Sequence, residues 1–331
     1  MRQGKVESQR ALGLHASTLW GVVLVLMWSA AAFSHGDSPD LQSLIAASPE
    51  LPYQVTYLEA QPPTPGWESG MVSWLALDKQ GLIYEIQRGE EADPVLVLDR
   101  AGKVIRSWGR GEYKLPHSIR IDPDGNVWTA DAGSSTVIKY SPTGEKLMTI
   151  LVGEQPAGKG LFSGTTDIAF GPAGHLFITD GYGNARVLEY SPDGKRLNQW
   201  GTPGTGPGEF HLPHAIRIAD GVAYVADREN GRIQKFDLQG HYVGEIDHLG
   251  RIYSLQIAGG VIWACIQDHD KPAGPDGWLV KLDRESGKIL GHFKLIGLHS
   301  VELSALGDPI IVEGNRLAWL RPKTAGVDRM P

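Results

Sequence analysis

Eleven histidines occur in this 331-residue sequence, and three of them share a context. His117 opens HSIRIDPDGNVWTADAG, His214 opens HAIRIADGVAYVADREN, and His299 opens HSVELSALGDPIIVEG. Each begins a short alternating apolar run that is followed by a turn and a second run ending at an acidic residue. A neutral imidazole offers one nitrogen to a metal. Three such nitrogens with a fourth position left open are the ligand set of a catalytic zinc. One histidine of this kind would more often simply hydrogen-bond a neighbour or water. Three in matched phase point to a metal, provided that the fold brings them to one place.

The elements that must do so are repeats. The same shape recurs in SWLALDKQGLIYEIQRG from Ser73, in TDIAFGPAGHLFITDGYGNARVLEYSPDGKRL from Thr166 and in SLQIAGGVIWACIQD from Ser254. With the histidine units, the starts fall at 73, 117, 166, 214, 254 and 299, a spacing of roughly 45 residues that is typical of propeller blades. Period-2 alternation between turn pairs such as Asp124-Gly125 and Asp193-Gly194 predicts three or four antiparallel strands per unit. The 42 glycines and 21 prolines agree with an all-β chain rich in turns. The fold class expected is therefore an all-β, six-bladed β-propeller. The last unit ends soon after Trp319, one strand short, and residues 53–59 read as the strand that closes its blade. With blades about 60° apart, the second, fourth and sixth aim their histidines at the axis from directions about 120° apart.

The second strand of each unit ends at Gln87, Asp131, Asp180, Asp227, Gln267 or Glu313. A carboxylate recurring at that slot is read as a turn cap rather than a catalyst. The loop just beyond lies at the same channel mouth as the histidines, and it carries Arg88, Tyr182 and Arg228. An arginine there could instead pair with Glu90 or Glu229, and the tyrosine could pack on its own loop. The remaining histidines, among them His175, His211, His241, His248 and His292, fall out of phase and read as surface or loop residues.

A net charge of −7 with no basic cluster excludes a nucleic-acid surface. Residues 1–35 read as an export signal: Arg2, Lys5 and Arg10, then an apolar run from Leu19, then small residues Ser29 to Ala32. Counted to Phe33, the run is about 15 residues, short of the roughly 20 that span a bilayer. No stable membrane span is expected after processing, and an uncleaved leader would anchor the chain instead. Cys265 is the only cysteine, which fits a periplasmic or secreted protein with a large core better than a small disulfide scaffold. The organisation expected is leader 1–35, a segment 36–70 carrying the closing strand, a propeller over 71–322 and a tail 323–331.

The repeat pattern of Asp-x-x-Gly, aliphatic pairs, Ala/Thr-Asp, Asn and Arg-Ile/Val resembles NHL repeats. From about residue 70 to 315 the chain resembles, more specifically, the lyase domain of the peptide α-amidating enzymes. The matching stretches are LPHSI at 115–119, TDIAF at 166–170, TDGYGNARV at 179–187, GEFHLPHAI at 208–216 and ADRENGRIQ at 226–234. The resemblance implies zinc held by His117, His214 and His299, a catalytic Tyr182, and active-site arginines at Arg88 and Arg228. It implies cleavage of a peptidyl-α-hydroxyglycine, or a related N-acyl-α-hydroxyglycine, to an amide and glyoxylate. It also implies a structural calcium on the main-chain carbonyls of Leu75 and Ile119, with an aspartate directly after the third histidine. Ser300 stands at that last position, which weakens the calcium expectation. Two other classes fit the residues: another metal-dependent propeller enzyme such as a hydrolase, and a non-enzymatic NHL scaffold for a protein or glycan partner.

Overall fold

The computed structural model describes residues 40–153, 162–268 and 276–323. The expected leader, most of the loop between Gln267 and Gly277, and nearly all of the tail lie outside the described residues. Six four-stranded antiparallel sheets form six blades. Their first strands are Val72–Leu77, Pro116–Ile121, Asp167–Phe170, Pro213–Ala219, Arg251–Ala258 and Leu298–Leu303. These six pack on one another around the axis, so the channel is lined by the start of every repeat.

Each blade follows its sequence locally. The tight turns rest on a repeated device in which Asp122 Oδ1 accepts from the N–H groups of Asp124 at 3.0 Å and Asn126 at 2.8 Å. Gly125 takes φ 90° in that turn, a region open to glycine at little cost. The inner strand Val72–Leu77 is buried at every position but its last, whereas the outermost strand of the same blade, Val104–Trp108, alternates between half-buried and exposed positions. Neighbouring blades meet through close packing of an indole on a turn. A Cβ added at Gly144 would lie 2.8 Å from the Trp108 ring, and one at Gly240 would lie 2.8 Å from the Trp200 ring. Buried aromatic area of this kind is a main source of blade–blade stability.

The sixth blade takes its outermost strand from the start of the propeller. Tyr53–Leu58 pairs antiparallel with Arg316–Pro322, from Tyr53 opposite Pro322 to Leu58 opposite Leu317. Five of the six inner strands also carry a register shift at their start. It falls between Val72 and Trp74, Pro116 and Ser118, Pro213 and Ala215, Ile252 and Ser254, and Leu298 and Val301. The extra residue of such a bulge leaves the ladder and is re-aimed. In this fold that residue is Ser73, His117, His214, Tyr253 or His299. The fifth slot is thus Tyr253, one residue before the Ser254 that the repeat alignment selects. Ser254 instead pairs opposite Cys265.

Candidate metal centre and active site

The bulged residues share a second bonding rule. His117 Nδ1 donates to the Thr166 carbonyl at 2.7 Å, His214 Nδ1 to the Tyr253 carbonyl at 2.6 Å, and His299 Nδ1 to the Ser73 carbonyl at 2.7 Å. Each histidine therefore bonds the slot residue of the next blade around the ring. A carbonyl can only accept, so Nδ1 carries the proton and Nε2 keeps its lone pair for the axis. The spacers continue the chain of contacts. Ser73 Oγ donates to the His117 carbonyl at 2.7 Å, and Thr166 Oγ1 to the Pro213 carbonyl at 2.7 Å.

The three rings converge. One ligand atom from each of His117, His214 and His299 lies within 4.8 Å of the other two. A point shared by atoms so spaced lies at most about 2.8 Å from each, and zinc–nitrogen bonds are about 2.0–2.1 Å. Side-chain shifts of under about 1 Å would close that gap. Burial pushes all three imidazoles below the ordinary histidine value, with further lowering by Arg88, Arg228 and the neighbouring rings; His299 falls to about 3. They are neutral at neutral pH, the form that binds a metal. Beneath them the Trp74 indole packs 5.6–6.2 Å from all three ring centroids and floors the site.

Tyr182 reaches the same place from the third blade. Its hydroxyl lies 3.2 Å from His117 Nε2 and 3.0 Å from His214 Nε2, so its one O–H can donate to either lone pair. The local sequence explains its position. A Cβ at Gly181 would lie 2.0 Å from the Pro213 carbonyl, so only glycine lets this turn press against blade 4. Asp180 accepts from Asn184 at 2.8 Å and Arg186 at 2.9 Å, which fixes the loop. Burial pushes the Tyr182 hydroxyl above its ordinary value, while Arg228 and then Arg88 pull it down.

Both arginines face this hydroxyl. Arg228 stacks over the rings of Tyr182 and Tyr253, at 5.7 and 5.1 Å, and its Nη1 lies 3.5 Å from the Tyr182 hydroxyl. Its Nε donates to Glu229 at 2.7 Å, and Glu229 also accepts from Arg251 at 3.0 Å. Arg88 donates to the Pro116 carbonyl at 2.9 Å and to Ser73 Oγ at 2.8 Å. The loop that enters the fourth blade is built to hold Arg228: Asp227 accepts from the His211 N–H at 2.7 Å, and the Arg228 N–H donates to the Leu212 carbonyl. Leu212 sits at φ 73°, a strained conformation for a leucine next to the candidate ligand His214.

The structure thus brings His117, His214, His299, Tyr182, Arg88 and Arg228 to one mouth. Three further residues join them that the repeat reading passes over. Tyr253 lies 5.6 Å from His214 and 5.7 Å from His299. Trp74 forms the floor. Phe162 stacks 4.8 Å from Tyr182, with Arg88 5.8 Å from its ring. Tyr253 could have been found as the residue just before Ser254, at the slot of blade 5; Phe162 sits in a connection that no repeat describes. The aspartates at the strand ends are turn caps. Asp131, for instance, accepts from the N–H groups of Lys114, Leu115 and Gly133. His175, His241 and His292 bond side chains away from the axis.

The residues expected to hold calcium supply no carboxylate among them. Ser300 is buried and offers a neutral hydroxyl, and Leu75 and Ile119 offer only neutral carbonyls. Calcium takes six to eight oxygens, with carboxylates supplying charge. The nearby carboxylate Asp167 already accepts from Arg120, Arg217 and the Ile216 N–H.

Comparison with known proteins agrees with this architecture. A family described as a 6-bladed beta-propeller matches residues 161–263. The peptidyl-glycine alpha-amidating monooxygenase of Mus musculus is 32% identical over 270 residues, which is 70% of this chain and 27% of that protein. Peptidyl-alpha-hydroxyglycine alpha-amidating lyase 1 of Drosophila melanogaster is 35% identical over 174 residues, covering 48% of this chain and 32% of its own length. The chain therefore spans about a quarter to a third of these two relatives. A solved streptogramin B lyase covers 82% of this chain and 98% of its own, with TM-score 0.57 at 14% identity, and shares the fold.

Proposed function

We propose that this chain, an NHL-type six-bladed β-propeller resembling the peptidyl-α-hydroxyglycine α-amidating lyases, is a zinc lyase. Its substrate is a peptidyl-α-hydroxyglycine or a related N-acyl-α-hydroxyglycine, and its products are an amide and glyoxylate. The observation that carries this reading is the convergence of three neutral Nε2 atoms, the Tyr182 hydroxyl and the Arg228 guanidinium on one axial point.

Bound by His117, His214 and His299, zinc would supply a Lewis acid that lowers the pKa of the substrate hydroxyl. The chain's own residues do the rest. Tyr182 stands within a hydrogen bond of any group held at that point and takes the hydroxyl proton as its phenolate; burial disfavours that form, Arg228 and Arg88 work against burial, and a bound cation would add to their pull. Arg228, clamped by two aromatic rings and oriented by Glu229, pairs with the substrate carboxylate and fixes the direction of the C–N bond. That bond breaks as the aldehyde forms, and the amide nitrogen takes up a proton, so no water is consumed. Trp74 packs against all three imidazoles and helps to hold them in place. The residue order of the leader supports export of the chain.

Glyoxylate release from α-hydroxyhippurate tests the reading. Stoichiometric glyoxylate and amide are expected, lost with a chelator and restored by zinc. A hydrolase at this mouth or a binding scaffold releases none, and that result would reject the assignment.

A further inference from the structure

Below Trp74 the channel holds a second tier, three residues further along the inner strands. There the side chains are Ala76, Arg120, Ala169, Arg217, Gln256 and Glu302, and together they line a cavity of about 290 Å³. The alanines of blades 1 and 3 leave room for Trp74 and Asp167, which enter from the same two strands.

These groups bond to one another in sequence around the axis. Arg120 of blade 2 makes a two-point contact with Asp167 of blade 3, Nε to Oδ1 at 2.9 Å and Nη2 to Oδ2 at 2.8 Å. Asp167 also accepts from Arg217 of blade 4 at 3.0 Å. Arg217 Nε donates to Gln256 of blade 5 at 2.9 Å, and Gln256 donates to Glu302 of blade 6. Glu302 closes the circuit at 3.6 Å from Arg120 Nη1. Blade 1 joins through Trp74, whose indole lies 4.8 Å from the Arg120 guanidinium carbon. Every blade contributes one member.

The charges within this circuit cancel, two guanidiniums against two carboxylates. A divalent cation added here would lie beside two buried positive groups and find both carboxylates already engaged. Burial and then the neighbouring Arg120 push the Arg217 pKa down to about 10, which leaves it charged at neutral pH. Arg120 Nη1 and Arg217 Nη2 have no hydrogen-bond partner among the described residues. Both belong to side chains lining the cavity, which has room for water.

We propose that this six-residue circuit is the axial tie of the propeller, in the place of a divalent cation, and that the protein takes up no structural calcium. The proposal is independent of the reaction: it holds or fails whatever the upper mouth catalyses.

The test uses the full chain with zinc held constant. Calcium content is measured after EGTA treatment and re-addition, and thermal unfolding is followed with calcium up to about 5 mM, above the weakest common protein sites at roughly 1 mM. The expected results are no bound calcium and a Tm unchanged within about 1 °C. Asp167→Asn should lower Tm by roughly 10 °C, because it leaves two buried guanidiniums underpaired. Should that variant fail to fold, the milder Glu302→Gln should still lower Tm by a few degrees with calcium remaining without effect. About one calcium per chain in the unmodified protein with a clear rise in Tm, or a Glu302→Gln protein as stable as the original, would overturn the proposal.

Discussion

The two tiers of the axial channel are made from the same strands, yet their chemistry is opposite. In the upper tier the three imidazoles are neutral, and each histidine uses one nitrogen to bond the next blade while its other nitrogen faces the axis. In the lower tier the groups are charged and turned on each other, with Asp167 accepting from two arginines and a main-chain N–H. Coordinating atoms aimed at a common point suit a ligand from outside, whereas ions already paired suit a structural tie. Trp74 lies between and keeps the two apart. Changes in the upper tier should therefore remove activity at little cost in stability, and changes in the lower tier should do the reverse.

Tyr182→Phe should give the largest effect. General-base catalysis typically contributes about 10²–10⁴-fold, so turnover of α-hydroxyhippurate should fall by that order while bound zinc and Tm stay near their original values. Equal kcat in the two proteins would remove Tyr182 from the mechanism. A Tm drop as large as that expected for Asp167→Asn would break the division between the tiers.

A smaller effect separates paired from unpaired buried carboxyls. Glu85, in the second strand of blade 1, is buried opposite Leu75 and Leu96, and its Oε2 has no hydrogen-bond partner among the described residues. Burial pushes its carboxyl from 4.5 up to about 8. Between those values the folded chain binds a proton that the unfolded chain has lost, so stability falls as pH rises through the window. The loss at neutral pH is of the order of 3 kcal/mol. Glu85→Gln should abolish this slope, so urea unfolding of the two proteins should diverge between about pH 5 and pH 8. Parallel profiles would mean that Glu85 has a partner in solution.

Much of this molecule is legible in its repeats. Period-2 strands and Asp-Gly turns give the blades, and three histidines stand out as a set because phase alone brings alternate blades to one axis. Tyr182 and the arginines follow from the loop after each second strand. What the repeats conceal has a local cause. The bulge between Ile252 and Ser254 shifts blade 5 by one residue, so alignment on serine passes over Tyr253. Blades 1 and 3 insert Trp74 and Asp167 one residue after the slot, whereas the other blades reach inward three residues after it. The lower circuit therefore spans two different offsets, and no single repeat position displays it. Arg120, Arg217 and Glu302, charged residues inside apolar inner strands, are its visible trace in the sequence.

Metal analysis of the purified protein beside His214→Ala reads out whether alternate blades hold one zinc between three imidazoles. Close to one zinc per chain is expected in the original protein and almost none in the variant, with both folded. Zinc absent from the original, or retained in full by His214→Ala, would contradict it.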